Sequence, residues 1–202
     1  VVAVDIDGTL GDFHSHFLEF AADYFDIEVA YSYDGAESFK EWWMDMTNRT
    51  AKDWHDVKLA YRQGGMKRTM PLYDQGGDLV DTIIASQAEI WITTTRPYLS
   101  LDNIVPDTVE WCRRHAIEYD GILFDEGKYE QLVQRVDPER VVAVVDDLWD
   151  MCDAADVAVG RPISMLVATE WNRGIIRDNR YSMEEIIDRI PRLIESWNYA
   201  AS

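Results

Sequence analysis

Cysteine, proline and positive charge are all scarce in this chain. Of 202 residues, 2 are Cys, 6 are Pro and 19 are Lys or Arg. Cys112 and Cys152 stand far apart and make no Cys-x-x-Cys pair, so they read as two free thiols in a reducing compartment, with the cytoplasm the expected location. Against the 19 basic residues stand 38 acidic ones, a net charge of −19. Phosphate backbones and anionic lipid surfaces repel such a chain, so neither nucleic acid nor membrane is an expected partner. A small anionic substrate stays open if a metal or a local basic patch receives it. No apolar run approaches the roughly 18 residues of a membrane span. The opening Val1-Val2-Ala3-Val4 reads as a strand and not as a leader, and the first residue is not Met, which leaves residues before Val1 open. No internal repeat or low-complexity tract appears, and the sequence leaves the oligomeric state open. What is present is apolar mass: 47% hydrophobic residues, with 8 Trp, 10 Tyr and 6 Phe. That suffices for the core of one domain with a modest insertion and excludes wholesale disorder.

The apolar residues fall in short runs. Val1–Ile6, Glu89–Thr94, Gly121–Phe124, Val141–Val145 and Ile163–Ala168 read as strands buried on both faces, with Val157–Val159 a weaker candidate. Helical patterns such as Asp107–His115 and Tyr129–Val136 lie between them. The alternation predicts an α/β fold, a Rossmann-like parallel sheet with right-handed crossovers. One interval breaks the rhythm. Between the first strand and Glu89 the pattern is helical: Phe13–Phe25, Glu37–Met46, Thr50–Gln63 and Gly77–Ser86, with a Thr50/Asp53 capping box. Residues 13–75 are therefore expected to form a helical insertion, and residues 1–12 and 76–202 the core. A last helix starts at a Ser182/Glu185 capping box, and Pro191 is expected to kink or split it.

Chemistry concentrates at strand ends. The first strand runs into Asp5-Ile6-Asp7-Gly8-Thr9. Ligands of open α/β sheets bind at the carboxyl ends of strands, and two carboxylates leaving one strand suit a hard divalent cation such as Mg²⁺. Gly8 permits a tight exit turn. Val141–Val145 runs into Asp146-Asp147. Helix capping accounts for one of these acids but not both, and adjacent buried acids are costly without a compensating cation. Thr94 and Thr95, in the run Ile92-Thr93-Thr94-Thr95-Arg96-Pro97, offer hydroxyls and backbone N–H groups to a phosphate, although threonine is also simply common in strands. Lys128 opens a helix, where a cation opposes the helix dipole, which suggests a role in neutralising phosphate.

Together these elements resemble the haloacid dehalogenase superfamily of phosphohydrolases, over roughly residues 1–12 and 86–160. Asp5-Ile6-Asp7-Gly8-Thr9 is similar to its first motif, Thr94 to the second, Lys128 to the third and Asp146-Asp147 to the fourth. The resemblance implies Asp5 as a nucleophile forming an aspartyl-phosphate and Asp7 as acid and then base. It implies Mg²⁺ held by Asp5, the Asp7 carbonyl and Asp147, with Asp146 in the outer shell. It implies a phosphoryl group held by Thr94, Thr95, Lys128 and backbone N–H groups from Ile6 to Gly8. Helices inserted after the first motif look like the family's cap, which selects the substrate.

Within that class the chain most resembles the 5′(3′)-deoxyribonucleotidases. Asp12-Phe13 sits where those enzymes carry Asp-Phe, and Val167–Arg173 is similar to a late segment of theirs. Thr9 stands where they usually have Val, and the middle of the cap does not align. The implied substrate is a (deoxy)nucleoside monophosphate. Phe13, Trp42, Trp43, Trp54 and Tyr61 offer stacking surfaces, though such rings also fill small cores. Lys58 and Arg62, four apart on a helix with Lys67 and Arg68 beyond, form the densest basic patch, either a solvated face or a phosphate-attracting rim. His14 and His16 follow the motif loop, and His14 is a candidate hydrogen-bonding partner of the substrate. The rival enzymatic reading removes a terminal phosphate from a nucleic-acid strand, since Thr-x-Arg-Pro also resembles the phosphatase domains of polynucleotide kinases. The rival of another kind is a scaffold that keeps the fold without turnover.

Overall fold

The computed structural model describes residues 1–28, 38–95 and 101–201. Six parallel strands form one sheet: β1 (Val2–Val4), β2 (Ile90–Thr94), β3 (Gly121–Phe124), β4 (Ala143–Asp146), β5 (Ser164–Val167) and β6 (Arg180–Tyr181). Their order is β3-β2-β1-β4-β5-β6. Val4 pairs with Ile92 on one side and Val145 on the other, so β1 is central and every strand neighbour runs parallel. The chain reverses its direction of travel across the sheet at β1, the switch point where ligands of such sheets bind.

Alternation along the strands divides the core. Val2, Val4, Ala143 and Val145 face one apolar layer, which includes Leu79 and Ile83 of α4 (Asp74–Ala85). Trp111 of α5 (Ile104–Arg114) and Ile186, Ile190 and Ile194 of α8 (Met183–Ala201) complete that layer. Ala3, Val144 and Leu123 face the other, built with Leu132 of α6 (Lys128–Arg135) and Ala155 of α7 (Trp149–Val159). Between β1 and β2 the chain forms α1 (Phe13–Phe25), α2 (Phe39–Thr47) and α3 (Ala51–Gln63), then a 3₁₀ turn at Met66–Arg68 and α4. The Thr50/Asp53 capping box is made in full, as is that of Ser182 and Glu185. Met70–Leu72 ties the inserted helices back to the core: Trp111 Nε1 donates to the Met70 carbonyl and the Asp12 N–H to that of Pro71.

Three readings need correction. Val157–Val159 is the last turn of α7 and not a strand, with Val157 81% exposed; three apolar residues are too few to separate the two periods, and Gly160 at φ +79 ends the helix. Pro191 neither splits nor ends α8, which runs unbroken to Ala201 because Ile186, Ile190 and Ile194 bury one face on both sides of it. Arg180–Tyr181, too short to show alternation, adds a sixth strand. Glu37 and the stretch Arg96-Pro97 lie outside the described residues. No helix among the described residues is long and apolar enough to cross a membrane.

Candidate active site

The carboxyl ends of β1 and β4 bring three acids together. Asp5, Asp146 and Asp147 are all buried, and each offers a carboxylate oxygen within 4.8 Å of the others. β1 delivers Asp5 and β4 delivers Asp146, while Gly8 makes room for Asp147. Its backbone sits at φ +98, and a Cβ there would lie 2.2 Å from Asp147 Oδ2. The Gly8 N–H itself donates to the Gly11 carbonyl (2.9 Å), so what the residue contributes is space for Asp147 and not a donor toward the site.

Lys128, the first residue of α6, turns its ammonium into this cluster. It donates to Asp5 Oδ1 at 2.6 Å and to Asp146 Oδ2 at 2.7 Å. Tyr129 donates its hydroxyl to the same Asp146 oxygen at 2.6 Å, and the Leu148 N–H takes the other at 2.9 Å. Asp146 is therefore saturated by the protein. Asp147 is not: its Oδ1 is buried with no hydrogen-bond partner among the described residues. Asn172 holds the backbone behind it, donating to the Asp147 carbonyl at 2.9 Å and the Val167 carbonyl at 2.6 Å.

One ammonium does not balance three acids. Burial drives the Asp5 carboxyl up to about 7; Lys128 opposes the rise, and Asp146 and Asp7 add to it. Burial, then Asp146 and Asp5, lift Asp147 well above the carboxylate range. Burial alone would lower Lys128, but Asp146 and Asp5 outweigh it and hold the ammonium charged. The excess of negative charge, the hard oxygen donors and the orphaned Asp147 oxygen together fit a divalent cation. Thr94, at the end of β2, also has a buried hydroxyl with no partner among the described residues, the kind of orphan that a ligand oxygen satisfies. Thr95 is half-buried just beyond.

The Asp7 carboxylate is not in this cluster. It pairs with Lys67, a fully buried lysine of the Met66–Arg68 turn, whose ammonium lies 4.2 Å from the centre of the Phe13 ring. Lys58 of α3 reaches the same ring from 5.8 Å, and Arg62, one turn on, is buried. Of the basic patch, Lys67 and Lys58 turn toward the Phe13 ring and Arg62 is buried, whereas Arg68 is exposed and pairs with Asp107. His14 is buried and stacked on Trp171 at 4.6 Å, its Nδ1 has no partner among the described residues, and burial lowers its pKa to about 3. His16 instead bonds to the Tyr61 hydroxyl (2.7 Å).

The aromatic candidates divide. Phe13 is 9% exposed at the head of α1 and Trp42 is half-buried, stacked on Phe39 and 6.3 Å from Trp171. Trp43 is fully buried against Trp54 and Phe25 and offers no face to a ligand. Sequence reasoning did not single out Tyr129 or Asn172. The only signal for Tyr129 is its place next to Lys128, and Asn172 lay within a segment noted for resemblance alone.

No protein-family model matches the chain and no curated protein matches it. Solved structures do. A haloacid dehalogenase (HAD) hydrolase of family IA, variant 3, from Entamoeba histolytica aligns with a TM-score of 0.60 at 16% identity, over 96% of this chain and 99% of that one. A HAD family hydrolase from Deinococcus radiodurans R1 with bound phosphate and sodium aligns at 0.58 and 12% identity, over 96% of each chain. CbbY from Rhodobacter sphaeroides in complex with xylulose-1,5-bisphosphate aligns at 0.57 and 15% identity, over 91% and 94%. At these identities the likeness is one of architecture, and the architecture of this chain is the Rossmann-like α/β fold of the HAD hydrolases.

Proposed function

We propose that this chain is a Mg²⁺-dependent phosphomonoester hydrolase that works through an aspartyl-phosphate on Asp5, with a (deoxy)nucleoside monophosphate as substrate. The observation that carries the reading is the Lys128 ammonium bonded to both Asp5 and Asp146 beside the unpartnered Asp147 oxygen. In this reading residues 1–12 and 76–202 are the catalytic core and residues 13–75 a cap that selects the substrate. The two buried free cysteines suit a reducing compartment such as the cytoplasm.

Asp5, Asp147 and the Asp7 carbonyl would hold Mg²⁺, with Asp146 behind them. Bound there, the cation would neutralise the acid cluster and the phosphoryl oxygens. The chain's own groups do the rest. Lys128 and the Thr94 hydroxyl grip the phosphoryl group and orient it. An Asp5 oxygen attacks phosphorus as the bond to the ester oxygen breaks, and Asp7, which leaves its pair with Lys67 and enters this step as the protonated acid, gives that oxygen its proton. Asp7, now ionised, takes a proton from water as the water oxygen attacks phosphorus and the bond to Asp5 breaks. Inorganic phosphate leaves and Asp5 returns as a carboxylate. In this reading Phe13 and Trp42 would meet the base, while Trp43 is fully buried and belongs to the cap interior.

The test is phosphate release from an aryl phosphate and from a panel of 5′- and 3′-nucleotides, with and without Mg²⁺. Metal-dependent release that Asp5→Asn abolishes in a folded protein is the expected result. Turnover by Asp5→Asn within tenfold of wild type would remove Asp5 from the mechanism.

A further inference from the structure

The cation arrangement in the inserted helices exceeds what a single phosphoryl group requires. Lys128 already faces the acid cluster from the core. Of the five Lys and Arg residues on α3 and the turn after it, three, Lys58, Arg62 and Lys67, are wholly or partly buried within a chain of net charge −19. Lys67 is fully buried and paired with Asp7. Arg62 is buried one turn from Lys58. Lys58 itself is half-buried over the Phe13 and Trp54 rings, 5.8 and 5.1 Å from their centres, and makes no ion pair among the described residues. On the same helix Lys52 is exposed and neutralised by Asp56 in the ordinary way.

We propose that Lys58, over the face of Phe13 and one helical turn from the buried Arg62, is a subsite for a second anionic group carried by the leaving part of the substrate. This rests on the hydrolase reading, in which Asp7 marks the side from which the leaving group departs. Lys67 pairs with Asp7 and lies over the Phe13 ring, and Lys58 stands over the same ring, which places it on that side. Burial, and then Arg62, lower the Lys58 pKa to about 8, so an anion arriving there relieves a strained charge and is not competing with a protein carboxylate. The substrate class, in place of a plain nucleoside monophosphate, is a phosphomonoester with a further phosphate or carboxylate beyond the ester oxygen, such as a nucleoside 3′,5′-bisphosphate or a sugar bisphosphate.

The experiment has two independent arms. Binding is measured by calorimetry on Asp5→Asn protein with Mg²⁺, using a nucleoside 5′-monophosphate, the matching 3′,5′-bisphosphate, a sugar bisphosphate and a phosphorylated hydroxy acid. Turnover of the same compounds is measured on the otherwise unaltered enzyme. At least one doubly anionic compound should bind about tenfold more tightly than the monophosphate, the order expected for one charge-assisted contact. Lys58→Met, which keeps the stem on the rings, should erase that advantage through KM with kcat little changed. Lys58→Arg should retain it, and Lys52→Met should leave it unaltered. The nucleotide, sugar and carboxylate compounds separate the sources of the second anion. Equal binding of singly and doubly anionic compounds, or an equal loss for all of them in Lys58→Met, would overturn the subsite. Absence of phosphate release from every compound, with the binding preference intact, would instead overturn the hydrolase reading.

Discussion

At the residue scale the site is organised by groups that have no partner among the described residues and by one residue that has no side chain. Gly8 lies where a methyl group would collide with the Asp147 carboxylate, at a φ that L side chains rarely adopt. Gly8→Ala should therefore displace Asp147 and lower kcat/KM by roughly 100-fold, the usual loss when a reacting group shifts by about an ångström. Steady-state kinetics on the folded variant checks this. His14 makes a different prediction. Burial holds it near pKa 3, while in the unfolded chain an ordinary histidine titrates near 6.5. Below pH 6.5 the unfolded chain takes up the proton and the folded one does not. Stability from this group is fully present above pH 6.5 and is lost as pH falls toward 3, by about 1.4 kcal/mol per unit. His14→Phe should lose about 2 kcal/mol less stability than wild type between pH 7 and pH 5 in urea melts. The acids at strand ends were legible in the sequence, because a buried apolar strand that runs straight into carboxylates calls for a cation or a ligand at its end. The pairings made by Lys67 and Tyr129 were not. Their partners Asp7 and Asp146 lie far off in the chain, and no local pattern records such a pairing.

At the element scale the two faces of α2 give the clearest contrast. Trp43 is sealed against Trp54 and Phe25, whereas Trp42 is half-buried, stacked on Phe39 and near Trp171. Trp43→Ala should cost roughly 3–5 kcal/mol, the range for emptying a core aromatic position. Trp42→Ala should cost much less and should raise KM for nucleotides while sparing a small aryl phosphate. Denaturation curves and a two-substrate comparison read both effects. The sequence predicts an aromatic helix here but not which tryptophan faces inward, since adjacent residues on a helix differ by only about 100°. The helix starts at Thr50 and Ser182 were legible because capping boxes are local, whereas α4 and α5, which have no side-chain cap, begin before the Gly77 and Asp107 expected from the pattern. Val157–Val159 was misread because three apolar residues cannot separate a strand from a helical turn, and the split at Pro191 because burial on both sides of it outweighs local propensity.

For the whole molecule, the order β3-β2-β1-β4-β5-β6 puts the switch point at β1, and that is where Asp5, Asp146 and Asp147 meet. The alternation of strands and helices made this sheet legible; the packing of the inserted helices onto Asp7 was not, because it depends on contacts between segments far apart in sequence. The net charge of −19 sets an expectation for the substrate. Polymer binding releases counterions and weakens steeply with salt, whereas a small phosphomonoester gripped by Lys128 and a metal does not. KM for a nucleotide should rise only modestly with added NaCl. A phosphorylated oligonucleotide with far higher kcat/KM, falling sharply with salt, would move the function to strand ends.

The central claim is that Asp5 becomes phosphorylated. Borohydride quenching during turnover, followed by mass spectrometry, tests it most directly, because hydride reduces an acyl phosphate and spares a free carboxylate. The account predicts reduction at Asp5, dependent on substrate, absent in Asp5→Asn and more extensive in Asp7→Asn, where hydrolysis of the intermediate is slowed. Steady phosphate release with no reduction at Asp5, or with the mark on another carboxylate, would contradict it.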